Sequence, residues 1–193
     1  MALPILKQGN NFTYGDYITW PDEERWELIV GYAYNMSPAP SRRHQEISQE
    51  LGRQVGNFLV NKPCRIYSAP FDIRLPEVNE QDEDILTVVQ PDIVVVCDEK
   101  KLDEKGCRGA PDLIIEILSP ATSAKDMKIK LPLYERFGVK EYWVVHPTDN
   151  IIQVFKLNKK KMYGKPDVYS EEDKIKTPIL EGLEIALDLV FKE

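Results

Sequence analysis

The sequence lacks the long apolar runs of a membrane protein. No apolar stretch in its 193 residues approaches the roughly 20 residues needed to cross a bilayer. The apolar part of the amino-terminal segment is too short for a signal peptide, so we expect a cytoplasmic protein with no membrane partner. A composition of 42% hydrophobic and 30% charged residues is typical of a globular chain and excludes disordered and collagen-like proteins.

Cysteine is also scarce. The chain has three cysteines, Cys64, Cys97 and Cys107, and no two of them form a CxxC pair. An odd number without that spacing suits a reducing compartment, and it predicts neither a disulfide framework nor a zinc site.

The motifs of common nucleotide-binding and hydrolase folds are missing. There is no GxxxxGK[ST], no GxGxxG and no GxSxG, and the only histidines are His44 and His146. These absences argue against a P-loop protein, a dinucleotide-binding protein and a Ser-His-Asp hydrolase. By contrast, the chain is rich in aspartate and glutamate.

Acidic residues outnumber basic ones, 32 against 25, for a net charge of −7. An acidic chain repels a polyanion at long range, which argues against a nonspecific nucleic-acid coat protein. It does not exclude an enzyme that meets phosphates through bound divalent cations.

The hydrophobic pattern predicts one mixed α/β domain over residues 1–193. β-formers on both sides of Gly31 predict a hairpin. Ser41 is the predicted N-cap of a helix of about twenty residues. A second helix is predicted from Ser123 to Phe137, with Gly138 after its end and a kink or late start at Pro132.

Strands are predicted between and after the helices. The apolar run 88–97 predicts one strand, and the run 112–118 predicts another whose two faces are both covered. Between these runs, 98–109 is expected to be a connector, and the acidic segment 77–84 a solvated loop. The tail, 158–193, has a weaker β pattern.

Glu116 is the strongest anomaly, because it interrupts the most apolar strand of the chain. An isolated ionised carboxylate in that position costs several kcal/mol unless it is paired, metal-bound or protonated. The alternative to a functional role is a structural pairing with a buried Arg or Lys.

Asp92 begins an apolar strand directly after Pro91. Alone it is equally consistent with a turn-capping residue. Together with Glu116 on a neighbouring strand, it forms a pair of oxygen ligands suited to Mg²⁺ or Mn²⁺, with waters and a substrate oxygen completing the shell.

Lys130 is the candidate cation. It shares a helix face with Met127 and Tyr134 and could extend to the carboxylates, orient an attacking water and offset developing charge. The alternative is a lysine that covers apolar surface and reaches water. Asp126, four residues before Lys130, is placed to pair with it in a structural or a catalytic role.

A Pro-Asp strand followed by a Glu in an apolar strand resembles the PD-(D/E)XK nuclease superfamily. Several longer strings make the chain similar, over roughly 13–157, to the Uma family of restriction endonucleases in that superfamily. These strings include Glu27-Leu28-Ile29-x-Gly31, Met36-Ser37-Pro38-Ala39-Pro40-Ser41, His44-x-x-Ile47, Gln90-Pro91-Asp92, Ala110-Pro111-Asp112-Leu113, Glu116-Ile117-Leu118-Ser119-Pro120 and Tyr134-Glu135-Arg136-x-Gly138-Val139-x-Glu141-Tyr142-Trp143.

The resemblance implies a restriction-endonuclease-like α/β core over 12–157, with a mixed β-sheet flanked by helices and an extra N-terminal hairpin. It assigns Asp92 and Glu116 as metal ligands. Two residues after Glu116 stands Leu118 instead of the superfamily lysine, and the family places its lysine at Lys130. Glu27, His44 and Asp126 are auxiliary candidates.

The resulting hypothesis is a Mg²⁺- or Mn²⁺-dependent endonuclease acting on DNA. Because cutting both strands with one site per chain takes two chains, a homodimer is expected. Two other functions stay open: a catalytically inactive nuclease-fold module that binds nucleic acid or protein, and a hydrolase of small phosphate esters. The basic residues near the predicted site, Arg42, Arg43, Lys125 and Lys128, are few and typical of a solvated helix start.

Overall fold

The computed structural model describes residues 7, 9, 11–21, 24–36 and 39–192. The prediction that there is no signal peptide concerns an amino-terminal segment that lies largely outside the described residues. In the described part of the chain, no helix is both long enough and apolar enough to cross a membrane.

The chain folds into a mixed α/β structure, as predicted. The helices are α1 (Tyr14–Tyr17), α2 (Arg42–Leu59), α3 (Ser123–Lys125), α4 (Leu131–Phe137) and α5 (Leu187–Val190), with a π-helical turn at Asp126–Lys130 and 3-10 turns at Asp82–Asp84, Glu99–Lys101 and Pro178–Leu180. The strands are β1 (Trp26–Ile29), β2 (Tyr32–Asn35), β3 (Arg65–Ser68), β4 (Ile73–Arg74), β5 (Val88–Val89), β6 (Ile93–Val96), β7 (Leu102–Asp103), β8 (Gly106–Arg108), β9 (Leu113–Ile117), β10 (Glu141–His146), β11 (Ile151–Lys156), β12 (Asp167–Ser170), β13 (Lys174–Lys176) and β14 (Glu184–Ala186).

The strands form two six-stranded sheets and a small hairpin. The first sheet has the order β2-β1-β5-β4-β8-β7, the second β12-β11-β10-β9-β6-β3, and β13 pairs with β14. The second sheet is mixed, because β9 pairs with β10 in parallel and with β6 antiparallel. One apolar core contains buried residues of both sheets and α4, and another lies between the second sheet, α2 and the carboxyl-terminal elements.

Pro91 divides what the sequence predicts to be one strand over 88–97. β5 belongs to the first sheet and β6 to the second, so that prediction was wrong. Proline cannot donate to a ladder and therefore stands at strand boundaries. The chain crosses from one sheet to the other at this point, which places Asp92 where the two sheets meet.

Two predicted loops are more structured than expected. The connector 98–109 contains a 3-10 turn and the hairpin β7-β8. In the acidic loop 77–84, Asp82 accepts a hydrogen bond of 2.6 Å from the fully buried Arg74. Arg74 also bonds Asp103, so one buried guanidinium ties both segments to β4.

The two main helices begin and end as predicted. The Ser41 hydroxyl accepts a hydrogen bond from the His44 N–H at the start of α2. The second helix covers the predicted span, but its middle turn is π-helical, because the Leu131 N–H donates to the Asp126 carbonyl five residues earlier. Pro132 stands in the first turn of α4, where its missing N–H is tolerated. Gly138 has φ 84° and ends the helix.

The structure contains a disulfide between Cys64 and Cys97. The prediction that cysteine usage provides no disulfide was wrong. Cys64 directly precedes β3 and Cys97 directly follows β6, and the pairing of Arg65 with Val96 sets the two cysteines side by side. Cysteine usage therefore no longer supports a reducing compartment.

The β1-β2 hairpin turns through Val30 and Gly31, with φ values of 52° and 76°. This is the pattern of a type I′ turn, which favours Asn-Gly or Asp-Gly. Val30 is 45% exposed, and a β-branched residue with positive φ is strained. We expect Val30→Asn to raise the free energy of unfolding by about 1 kcal/mol, as measured by urea denaturation.

Val78→Asn is the matched control for this substitution. Val78 is 90% exposed, and its φ is not positive. The same change of side chain should therefore leave stability nearly unaltered. Equal effects of the two substitutions would show that relief of turn strain is not the cause.

Candidate active site

A groove of about 1190 Å³ opens where the two sheets, α2 and the π-helical turn meet. All six residues singled out from the sequence line it: Glu27, His44, Asp92, Glu116, Asp126 and Lys130. They come from five separate parts of the chain, so the fold gathers them in one place.

Asp92 and Glu116 lie on neighbouring strands of the second sheet. Ile93 pairs with Ile115, and continuing that register by one residue sets Asp92 opposite Glu116. Asp92 Oδ2 accepts a hydrogen bond of 2.7 Å from the Ile117 N–H, which fixes its carboxylate against β9. The other oxygen, Oδ1, accepts no hydrogen bond from any described residue.

Glu116 is buried and hydrogen-bonded through one oxygen. Its Oε1 accepts from Lys130 Nζ at 2.7 Å and from the Tyr134 hydroxyl at 3.0 Å. Burial raises the pKa of Glu116 to about 8, against the opposing effect of the Lys130 charge. Oε2 accepts no hydrogen bond from any described residue. Glu116 therefore forms the pair with a buried lysine that the sequence left open as a structural alternative. That lysine is Lys130, which is also the candidate catalytic lysine.

Lys130 is almost fully buried, being 3% exposed, and lines the floor of the groove. Its Nζ lies 2.7 Å from Glu27 Oε1 and 2.7 Å from Glu116 Oε1, and 3.8 Å from Asp126 Oδ1. Although burial opposes ionisation, these carboxylates hold the pKa of Lys130 well above its usual range. The ammonium is therefore permanently charged and joins the two sheets across the floor of the groove.

Glu27, on β1, faces the second sheet and is fully buried. Besides Lys130, it accepts hydrogen bonds from Lys125 Nζ at 2.5 Å and from the Gln90 N–H at 3.0 Å. Burial opposes ionisation, but the charges of Lys130 and Lys125 lower the pKa of Glu27 to about 2. Glu27 is thus a fixed anion between two lysines.

Lys125 is the site residue that the sequence interpretation missed. The sequence predicts a solvated side chain here, whereas Lys125 is 3% exposed and pairs with Glu27. Arg43 is also engaged: it donates to the carbonyls of Phe191 and Lys192 and so anchors the carboxyl-terminal segment to α2. Neither side chain is part of a loose basic surface.

His44 lies in the first turn of α2, with Nε2 at 3.2 Å from Asp92 Oδ2. Burial lowers the pKa of His44, but the hydrogen bond and charge of Asp92 outweigh it and raise the pKa above its usual value. His44 therefore adds a second contact that orients the Asp92 carboxylate.

Gln90 connects the site to a polar network behind it. Its side-chain amide donates to Asp72 Oδ1 at 2.8 Å and to the Tyr17 hydroxyl at 3.1 Å, and it accepts from Arg25. Because the Gln90 backbone N–H donates to Glu27, Gln90 links this network to the buried ion pairs of Glu27. In the sequence, the Gln90-Pro91-Asp92 string was the only indication that Gln90 lies at the site.

The second Pro-Asp pair, Pro111-Asp112, lies at the opposite end of β9 from Glu116. Asp112 accepts from the Cys97 N–H at 2.7 Å and from Lys140 at 2.6 Å, and it does not line the groove. The geometry therefore identifies Asp92 as the aspartate that faces Glu116.

The donor set suits a hard divalent ion shared with a substrate. Among the described residues, no group of three or more His, Cys, Asp and Glu side chains is arranged as a metal cage. Asp92 and Glu116 line the groove, each with one oxygen that no described residue donates to. Mg²⁺ is commonly held by one or two carboxylates together with waters and substrate phosphate, so these residues fit such an ion.

A family model and several known proteins are similar to this chain. The Uma2 model, described as "Putative restriction endonuclease", matches residues 14–188 and so includes most of the predicted tail. The uncharacterized protein slr1290 of Synechocystis sp. (strain ATCC 27184 / PCC 6803 / Kazusa) is 27% identical over 180 residues, or 92% of this chain and 90% of that protein.

A crystal structure from Anabaena variabilis ATCC 29413, described as "a putative nuclease belonging to DUF820", matches with a TM-score of 0.73 at 19% identity. The match covers 93% of this chain and 97% of that one. The two proteins share a fold, and the predicted fold class is confirmed.

Proposed function

Because the chain belongs to the Uma2 family, we propose that it is a divalent-metal-dependent endonuclease that hydrolyses the phosphodiester bonds of DNA. One observation supports this most directly. Asp92 and Glu116 face each other across neighbouring strands, and a buried, charged lysine bonds Glu116 on the floor of a wide groove.

Asp92 and Glu116 are the residues that would hold Mg²⁺ or Mn²⁺. The ion supplies a Lewis acid for the scissile phosphate and lowers the pKa of a bound water. The protein contributes a fixed ligand geometry, because the Ile117 N–H and His44 orient Asp92. The Tyr134 hydroxyl and Lys130 orient Glu116 in the same way.

Lys130 would act on the water and the phosphate. Its ammonium, 2.7 Å from Glu116, can hold the attacking water in line with the scissile bond. A fixed positive charge also offsets the negative charge that grows on the phosphate oxygens in the transition state. Because the pKa of Lys130 is raised, the lysine keeps its proton and works by position and charge, not as a base.

The groove favours a polymer over a small phosphate ester. Its volume of about 1190 Å³ exceeds the upper range of about 1,000 Å³ for small-molecule pockets. Five basic residues and four acidic ones line it, although the chain as a whole carries a charge of −7. The acidic excess therefore lies away from the groove, which suits an approaching polyanion.

Supercoiled plasmid DNA with Mn²⁺ or Mg²⁺ tests the proposal. We expect the wild type to convert it to nicked and linear forms, and EDTA to stop the conversion. Asp112→Asn, which alters the other Pro-Asp pair, should cut like the wild type. A homodimer, proposed because both strands must be cut, should be present in sedimentation under the same conditions.

An inactive binding module is the second candidate. It is favoured by the pairing of Glu116 with Lys130, which is also how a purely structural carboxylate would be neutralised. Such a module would bind DNA without cutting it, and its affinity would fall with salt at a slope near −0.9 per phosphate contacted. Salt-dependent binding with no metal-dependent cleavage would support this function over the first.

A further inference from the structure

Glu27 is held by two buried lysines, although the proposed reaction needs only one. Its Oε2 bonds Lys125 at 2.5 Å and its Oε1 bonds Lys130 at 2.7 Å. On its other side, the Lys130 ammonium lies 2.7 Å from Glu116 Oε1. The Lys130 ammonium therefore lies between two carboxylates, one from each sheet.

The π-helical turn makes this arrangement possible. In a regular α-helix, residues five apart point about 140° away from each other. The turn at Asp126–Lys130 instead bonds the Leu131 N–H to the Asp126 carbonyl, so each turn holds more residues and residues five apart lie closer to one face. Lys125 and Lys130 therefore reach the same carboxylate. Such turns are frequently found at functional sites.

We propose that Glu27 and Lys125 are positioning residues that fix the Lys130 ammonium against Glu116. This inference rests on the proposed function and adds two residues that act through Lys130. With Lys125 present, each Glu27 oxygen has its own ammonium. Without it, Lys130 is the remaining lysine bonded to Glu27 among the described residues, and it is drawn toward β1 and away from Glu116.

Lys125→Met tests this placement. We expect kcat for DNA cleavage to fall about 10- to 100-fold, because a displacement of about 1 Å at a catalytic group has effects of that size. KM should change less than about threefold, since no substrate contact is removed. Lys125→Arg keeps the charge, so its kcat should lie between that of Lys125→Met and that of the wild type.

Lys128→Met is the matched control. Lys128 lies on the same turn but is exposed, so the identical substitution should leave kcat unchanged. Thermal unfolding of each variant would verify that it is folded at the assay temperature. Cleavage by Lys125→Met at the wild-type rate, or an equal loss in Lys128→Met, would overturn the proposal.

The ammonium signals of ¹⁵N-labelled lysine give a readout independent of cleavage. A buried, hydrogen-bonded ammonium exchanges slowly with water, so Lys130 should give a resolved signal that broadens in Lys125→Met and not in Lys128→Met. If no form cuts DNA but this response is seen, the proposed function fails and the placement of Lys130 stands. An unaltered Lys130 signal in Lys125→Met contradicts the placement itself.

Discussion

Asp92→Asn and Glu116→Gln are each expected to abolish metal-dependent cleavage of DNA while leaving the protein folded. The two carboxylates would hold the ion, whose loss removes several kcal/mol of transition-state stabilisation. Since each 1.4 kcal/mol is a tenfold change in rate, we expect a decrease of about 10³-fold or more. The amide oxygen that Asp92→Asn introduces could still accept the Ile117 N–H, which favours an intact fold.

Calorimetric titration of Mn²⁺ distinguishes a variant that no longer binds the ion from one that no longer acts on the substrate. The wild type should bind Mn²⁺, and both variants should bind it much more weakly. Asp112→Asn, at the far end of β9, should bind as the wild type does. Unchanged Mn²⁺ binding in Asp92→Asn and Glu116→Gln would leave Glu116 as a structural acid and favour the binding module.

The parts of the fold that the sequence predicted are those set by local pattern. The apolar run around Glu116 identified β9, and the stripe of Ile47, Leu51 and Val55 with its Ser41 cap identified α2. A capping hydroxyl and a helical period are both decided within a few residues. For the same reason, the hairpin around Gly31 and the end of α4 at Gly138 were predicted correctly.

The missed features depend on contacts between distant segments. Nothing near Val88 indicates that β5 and β6 belong to different sheets, apart from Pro91 itself. The disulfide follows from the register of β3 on β6, which the spacing of cysteines along the chain does not contain. The burial of Arg74 likewise depends on Asp82 and Asp103, which reach it from separate loops.

The candidate site was only partly predictable for a related reason. Glu116 stands out because it interrupts an apolar strand, and Asp92 because it begins one directly after Pro91; both features can be read from the sequence alone. Lys125 does not stand out, since helical periodicity places it away from Lys130. Only the π-helical turn, which has no clear sequence pattern, brings both lysines to Glu27.

Glu27→Gln is expected to lower the free energy of unfolding by about 3–5 kcal/mol. Removing one member of a buried ion pair leaves the partner charge uncompensated, with a cost of that size. Among the described residues, Glu27 is the one carboxylate within ion-pair distance of Lys125, and Lys125 is almost fully buried. Urea denaturation near neutral pH measures the difference.

Glu141→Gln is the matched control, because Glu141 is equally buried but has no ion-pair partner among the described residues. It accepts hydrogen bonds from Thr177 and Trp143, and burial raises its pKa. A neutral amide therefore suits that position, and we expect a change below about 1 kcal/mol. Equal losses in both variants would mean that burial of a polar group, and not loss of a charge partner, sets the cost.

The pH dependence of the Glu27→Gln effect follows from the lowered pKa of this carboxyl group. Its pKa falls from 4.5 to about 2 in the folded protein because the charges of Lys130 and Lys125 outweigh burial. The unfolded chain therefore binds the proton more readily, and the stabilisation is complete only well above pH 4.5 and decreases as the pH falls through 4.5 toward 2. The stability gap between the wild type and Glu27→Gln should thus be constant above about pH 6 and shrink by about pH 3. A gap that stays constant down to that pH would show that Glu27 is not held as an anion by the two lysines.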